Sequence, residues 1–71
     1  MSQEIRAHVA GVVSAINVGP GDQVDAGDEV VVLESMKMQL PLAAPIRATV
    51  SVIRVQAGEL VQPGQVLVVL T

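Results

Sequence analysis

Shifted against itself by 37 positions, the chain repeats: residues 7–34 fall on residues 44–71 without a gap, and eleven of the 28 pairs are identical. Ala7 meets Ala44, Val13-Ser14 meets Val50-Ser51, Ile16 meets Ile53, Val18 meets Val55, Gly21 meets Gly58, Val24 meets Val61, Gly27 meets Gly64, and Val31-Val32-Leu33 meets Val68-Val69-Leu70. A unit this short that occurs only twice cannot stack into a solenoid, which needs about three copies to bury a continuous core. The two halves must instead close on each other about a pseudo-two-fold axis.

Each half reads as strand, turn, short strand, turn, strand. Alternation places Val12, Ser14, Ile16 and Val18 on one strand face and Val13, Ala15 and Asn17 on the other, with Thr49, Ser51, Ile53 and Val55 against Val50, Val52 and Arg54 in the second half. Gly19-Pro20-Gly21-Asp22 and Ala26-Gly27-Asp28 punctuate the first half, Ala57-Gly58-Glu59 and Pro63-Gly64 the second. These are turns because glycine accepts positive φ and proline presets φ near about −65°. No stretch carries a helical apolar stripe with caps at both ends. The chain has no Phe, Tyr, Trp or Cys, so the core must be built from Val, Ile, Leu, Ala and Met without disulfides or thiolate metal sites. Valine dominates, and its branched side chain packs well on a pleated sheet. The class is therefore all-β: two small antiparallel sheets packed face to face, with both halves contributing to each.

Residues 35–43 connect the repeats. Within them, at almost the middle of the chain, stands its one lysine, in Glu34-Ser35-Met36-Lys37-Met38. Ser35 and Met38 to Leu42 extend the flanking strands, which leaves Met36-Lys37 as a tight two-residue turn. Such turns usually demand positive φ and favour Asn-Gly or Asp-Gly. Met-Lys breaks that rule, and local mismatches of this kind concentrate at functional sites. A lone turn lysine is ordinarily a solvated charge and a methionine is ordinarily core filler. A single amine at the hinge of a repeat is also the natural place to attach a carboxylic acid through an amide.

Other chemistries find no support. Seven acidic against four basic residues give a net charge of −3, and with no aromatic platform for bases this argues against nucleic-acid and anionic-membrane surfaces. The apolar runs Val30 to Leu33 and Val66 to Leu70 are far too short to span a bilayer, and Met1 to Arg6 lacks a secretory core. A cytoplasmic protein is expected. Asp22, Asp25, Asp28 and Glu29 fail the EF-hand spacing and read as acidic turns. His8 has no second histidine or cysteine to share a metal, and the serines form no triad signature, so neither catalytic nor metal-ligating residues are assigned. Gly19-Pro20-Gly21 lacks the lysine and helix of a phosphate loop.

Glu34-Ser35-Met36-Lys37-Met38, set between two half-repeats of the form Gly-Asp/Glu-x-Val-x-x-Gly, resembles the biotinyl attachment domain of biotin-dependent carboxylases, over essentially all of Ala7 to Leu70. Related lipoyl domains commonly have Asp-Lys-Ala where this chain has Met36-Lys37-Met38. The resemblance implies one domain over 1–71: a flattened barrel of two four-stranded sheets, the barrel-sandwich hybrid. The gapless repeat leaves no room for the thumb insertion of some acetyl-CoA carboxylase carriers. Gln39-Leu40-Pro41-Leu42 is similar to small stand-alone biotin/lipoyl attachment proteins. By the same resemblance a biotin protein ligase joins biotin to Lys37, with Met36 and Met38 aiding recognition and Glu34 and Ser35 completing the motif. The biotin then shuttles a carboxyl group between biotin carboxylase and carboxyltransferase sites, and the carrier itself is not an enzyme. The alternatives are a lipoyl carrier, with lipoate on the same lysine, and an unmodified adaptor of membrane-fusion proteins, which places a long helical insertion where this chain has the lysine turn. Three departures stand out: His8 where many members have proline, Ser35 where alanine is commoner, and Ala48 where its own counterpart Gly11 is glycine.

Overall fold

A computed structural model describes residues 2–71. Eight strands follow in order: β1 (Gln3–Arg6), β2 (Gly11–Ile16), β3 (Gln23–Val24), β4 (Glu29–Ser35), β5 (Met38–Ala43), β6 (Ala48–Ile53), β7 (Leu60–Val61) and β8 (Val66–Leu70). They form two four-stranded antiparallel sheets, β1-β8-β6-β3 and β5-β4-β2-β7. The short strands are exchanged. β3, from the first half, pairs with β6 of the second, and β7 returns the exchange by pairing with β2. Neither half can therefore complete its sheet without the other.

The offset of 37 governs the hydrogen bonds as well as the letters. Gly21 N–H donates to the Val50 carbonyl at 2.8 Å, and Gly58 N–H donates to the Val13 carbonyl at 2.8 Å. Gly27 N–H donates to Ala44 O, and Gly64 N–H to Ala7 O. Each bond thus has its mirror with donor and acceptor moved to the other half. Gly21 and Gly58 sit at φ 90° and 91° with open space where a side chain would project, so backbone conformation alone selects glycine there. The acidic turn residues act as local caps. Asp22 Oδ2 accepts from Gly19 N–H at 2.7 Å and Asp28 Oδ2 from Asp25 N–H at 2.8 Å, while Glu59 and Gln65 do the same for Gln56 and Gln62.

The core is aliphatic. Leu33, Leu67, Leu70, Val13, Val30, Val31, Val50, Val61 and Val68 are its largest fully buried side chains, with Ile16, Val18, Leu40, Leu42 and Ile53 packed against its margin. Strict alternation along β2 and β6 does not hold. Val13 pairs with Leu33 but Ala15 pairs with Val32, so Ser14 is bulged out of the ladder, and Ser51 is bulged between Val50 and Val52 in the same way. The extra residue shifts the phase of the strand. Val13, Ile16 and Val18 therefore reach the core together, although alternation put Val13 on the other face, and Val12 is left exposed.

A second pair of bulges falls at Val30 and Leu67, again 37 residues apart, and it lets Val30-Val31 and Leu67-Val68 bury consecutive side chains. Strand β1 is an addition to the sequence reading, which named no strand before residue 7. Its pairs Gln3↔Leu70, Glu4↔Val69 and Ile5↔Val68 reproduce Leu40↔Leu33, Pro41↔Val32 and Leu42↔Val31 under the offset.

Candidate functional site: the lysine hairpin

Strands β4 and β5 form the longest ladder in the molecule, running from Glu29↔Ala43 to Ser35↔Met38. Beyond that last pair only Met36 and Lys37 remain to reverse the chain. Both take positive φ, 52° and 64°. Positive φ at both central residues is the conformation that matches the twist of the flanking strands in a two-residue hairpin. For side chains with a Cβ it is costly, by roughly 1 kcal/mol or more per residue. The ladder beneath holds the turn in that conformation: Leu33 and Val31 are fully buried on the β4 side, and Leu40 and Leu42 pack against the core from β5.

The stem is closed by a side-chain bond. Gln39 Nε2 donates to Glu34 Oε1 at 3.2 Å across the rung Glu34↔Gln39. Ser35, half-buried, lies between this rung and the turn. On its other edge β4 is paired to β2 through Val12↔Glu34, and Gly11 is the next residue of β2. A Cβ built on Gly11 would stand 2.6 Å from the Glu34 carbonyl oxygen and 3.4 Å from the Ser35 Cβ.

The five residues singled out from the sequence are thus consecutive through one hairpin tip, and their exposures differ. Lys37 is exposed and makes no ion pair or hydrogen bond among the described residues. Met36 is 91% exposed and Met38 61%, so neither serves as core filler. Two long apolar side chains flanking a free amine stand out on a surface whose other turns carry Gly, Asp and Glu. Thioether side chains adapt to differing partner surfaces, which suits a tip presented to more than one of them. An amine held this way is accessible to an acyl donor from outside, and an amide formed on it would lengthen the side chain away from the sheet.

Two residues of the stem carried no assigned role in the sequence reading. Gln39 was legible as part of a strand and of the segment that carries the likeness to small attachment proteins, with no contact assigned to it. Gly11 had one signal, the contrast with Ala48 at the equivalent place in the second half.

Comparison with known proteins identifies the family. A family model described as Biotin-requiring enzyme matches residues 14–70. The chain is 37% identical to the biotinylated protein TB7.3 homolog of Mycobacterium leprae over 71 residues, covering 100% of both chains. It is 36% identical to the biotin/lipoyl attachment protein of Bacillus subtilis, covering 94% of this chain and 92% of that one. The human mitochondrial propionyl-CoA carboxylase alpha chain is 44% identical over 67 residues, but these are only 9% of that protein.

Among solved structures, a single-chain, multi-domain long-chain acyl-CoA carboxylase superposes with a TM-score of 0.94 at 38% identity, over 99% of this chain and 7% of that one. The urea carboxylase of Kluyveromyces lactis superposes with the same TM-score, 0.94, at 25% identity over 100% of this chain and 6% of its own. The chain thus spans the full length of one small relative and a small part of the large carboxylases. With a family model covering 14–70 and a full-length relative at 37% identity, the chain belongs to the biotin-requiring enzyme family, as a domain of the biotin/lipoyl attachment type.

Proposed function

We propose that the protein is a biotin carboxyl carrier in which Lys37 receives biotin through an amide. The observation that carries this reading is the Lys37 turn itself: the chain's one lysine, at positive φ, at the tip of the β4–β5 hairpin, exposed and without a partner among the described residues. The fit to the cofactor is chemical. Biotin ends in a carboxylic acid, and the amide it needs requires an accessible primary amine, which the tip offers. Held on Lys37, biotin would supply a carrier for a carboxyl group between two enzyme sites.

The chain's own residues do the rest. A lysine ammonium is protonated near neutral pH and is a poor nucleophile unaided, so a biotin protein ligase supplies both the activated acyl donor and the environment that removes the proton. Met36 and Met38 give the ligase and the carboxylase sites an apolar surface on either side of the amine. Glu34 and Ser35 hold the stem that aims it. The body performs no bond chemistry. It raises the effective concentration of the tethered cofactor at each site, which is why a rigid core and a single projecting arm suffice.

The partners are the biotin protein ligase and the biotin carboxylase and carboxyltransferase components of a carboxylase, working in the cytoplasm. The relatives described as biotinylated and as carboxylases support biotin over lipoate. The test is the intact mass of the protein after incubation with a biotin protein ligase, ATP and biotin. One biotinyl group is expected on the parent chain, mapped to Lys37, and none on Lys37→Arg. Labelling that persisted in Lys37→Arg would move the attachment site elsewhere.

A further inference from the structure

We propose that Gly11 is a positioning residue for Lys37, keeping clear the space into which the stem of the lysine hairpin fits; the inference rests on the reading of Lys37 as the modified residue. Glycine is not required at Gly11 by backbone conformation. The glycines with positive φ are Gly21, Gly27, Gly58 and Gly64, and Gly11 lies in an ordinary strand paired to Val61.

What Gly11 supplies is space. A methyl group there would meet the Glu34 carbonyl oxygen at 2.6 Å, a contact that close-packed interiors do not tolerate, and the obstructing atom is backbone that cannot rotate away. Something must shift. Glu34 is the last residue of β4 before the turn to be paired on both sides, with Val12 on one and Gln39 on the other. Relief of the clash therefore displaces the rung Glu34↔Gln39, next below the one from which the turn springs. The loop beyond has two residues and no slack, so a tilt of Glu34 and Ser35 is passed on to Lys37.

The second half of the molecule is an internal control. Ala48 occupies the place of Gly11 under the offset, beside Thr49, which exchanges hydrogen bonds with Thr71 where Val12 pairs with Glu34: Thr49 N–H donates to Thr71 O at 2.9 Å and Thr71 N–H to Thr49 O at 2.8 Å. A Cβ is accommodated there. The same fold position thus carries a side chain in one half and lacks one beside the stem of the lysine hairpin.

The experiment compares the parent with Gly11→Ala, Ala48→Gly and Val61→Ala. Val61 is the buried partner of Gly11 on β7 and serves as a destabilised control with the hairpin stem untouched. Two quantities are read: backbone amide chemical shifts along the chain, and the initial rate of biotin incorporation by a biotin protein ligase at subsaturating carrier, well below each variant's melting temperature.

Gly11→Ala is expected to keep the parent's circular dichroism, to move the shifts of Glu34 to Gln39 above all others, and to lower the carrier's kcat/KM by about tenfold or more, as misplacement of a reacting group does. Ala48→Gly and Val61→Ala are expected to label at the parent rate. Labelling of Gly11→Ala at the parent rate overturns the inference. So does an equal slowing in Val61→Ala, or loss of the fold in Gly11→Ala, either of which would assign Gly11 to general stability. If the parent itself takes no biotin, the functional reading fails. Gly11 is then judged by the shifts alone, which support it if they move at Glu34 to Gln39 and overturn it if they do not.

Discussion

Ser35 and Met38 face each other as the last rung of the β4–β5 ladder, leaving Met36 and Lys37 alone to reverse the chain at φ 52° and 64°. A sequence optimised only for stability would place Asn-Gly there. The turn therefore separates two quantities that usually travel together. Met36→Asn relieves part of the strain, because asparagine tolerates the left-handed region. It is expected to raise stability by about 0.5–1 kcal/mol while slowing biotin incorporation, since a 91% exposed thioether is lost beside the amine. Urea denaturation and labelling kinetics on the same preparation check it. A variant both more stable and labelled faster would remove Met36 from recognition.

The turn glycines give the opposite pattern, a cost in stability with none in labelling. Gly58 sits at φ 91° with nothing within 4 Å of a built Cβ, so Gly58→Ala is opposed by backbone conformation and by no clash. A loss of about 1–2 kcal/mol is expected. Gly21→Ala, its counterpart at φ 90°, should lose the same amount within error. Both remain substrates for a ligase at temperatures where they are folded. Unequal losses would mean that the two halves do not carry their turns alike.

Lys37→Arg should leave stability unchanged within about 0.5 kcal/mol, because the side chain it replaces is exposed and makes no hydrogen bond or ion pair among the described residues. Thermal unfolding followed by circular dichroism measures this directly. A substantial loss would show that the amine serves the fold, contrary to its position at the tip.

Much of this was legible from residues alone, for reasons that can be named. The repeat placed four glycines in two equivalent pairs, Gly21/Gly58 and Gly27/Gly64, and all four take positive φ. The same arithmetic isolated Met36-Lys37 as a two-residue turn although their chemistry argued against it. The bulges at Ser14 and Ser51 were hidden because an extra residue in a strand leaves no mark in composition; serine is as ordinary on an exposed face as in a bulge. Strand β1 was missed because only Ile5 of its four residues is buried, and its pattern becomes a strand through its partner β8. The importance of Gly11 depends on how near Glu34 approaches, which no one-dimensional pattern encodes.

The symmetry makes a last, stricter demand on the core. Leu33 and Leu70 are equivalent under the offset, both are 0% exposed, and each is paired directly with an equivalent position, Leu40 for one and Gln3 for the other. Truncation to alanine removes the same transfer energy and opens a similar void, so Leu33→Ala and Leu70→Ala should each cost about 2–5 kcal/mol. That is a large share of the stability of a domain this small, about 5–10 kcal/mol on the usual scale per residue. The chain has no Trp or Tyr, so unfolding must be followed by far-UV circular dichroism. The two midpoints should agree closely. They should part in labelling: Leu33 is rooted in the stem of the lysine hairpin and Leu70 is not, so only Leu33→Ala slows biotin incorporation in the folded state. Equal slowing in both would mean that the hairpin borrows its rigidity from the core as a whole instead of from its own stem.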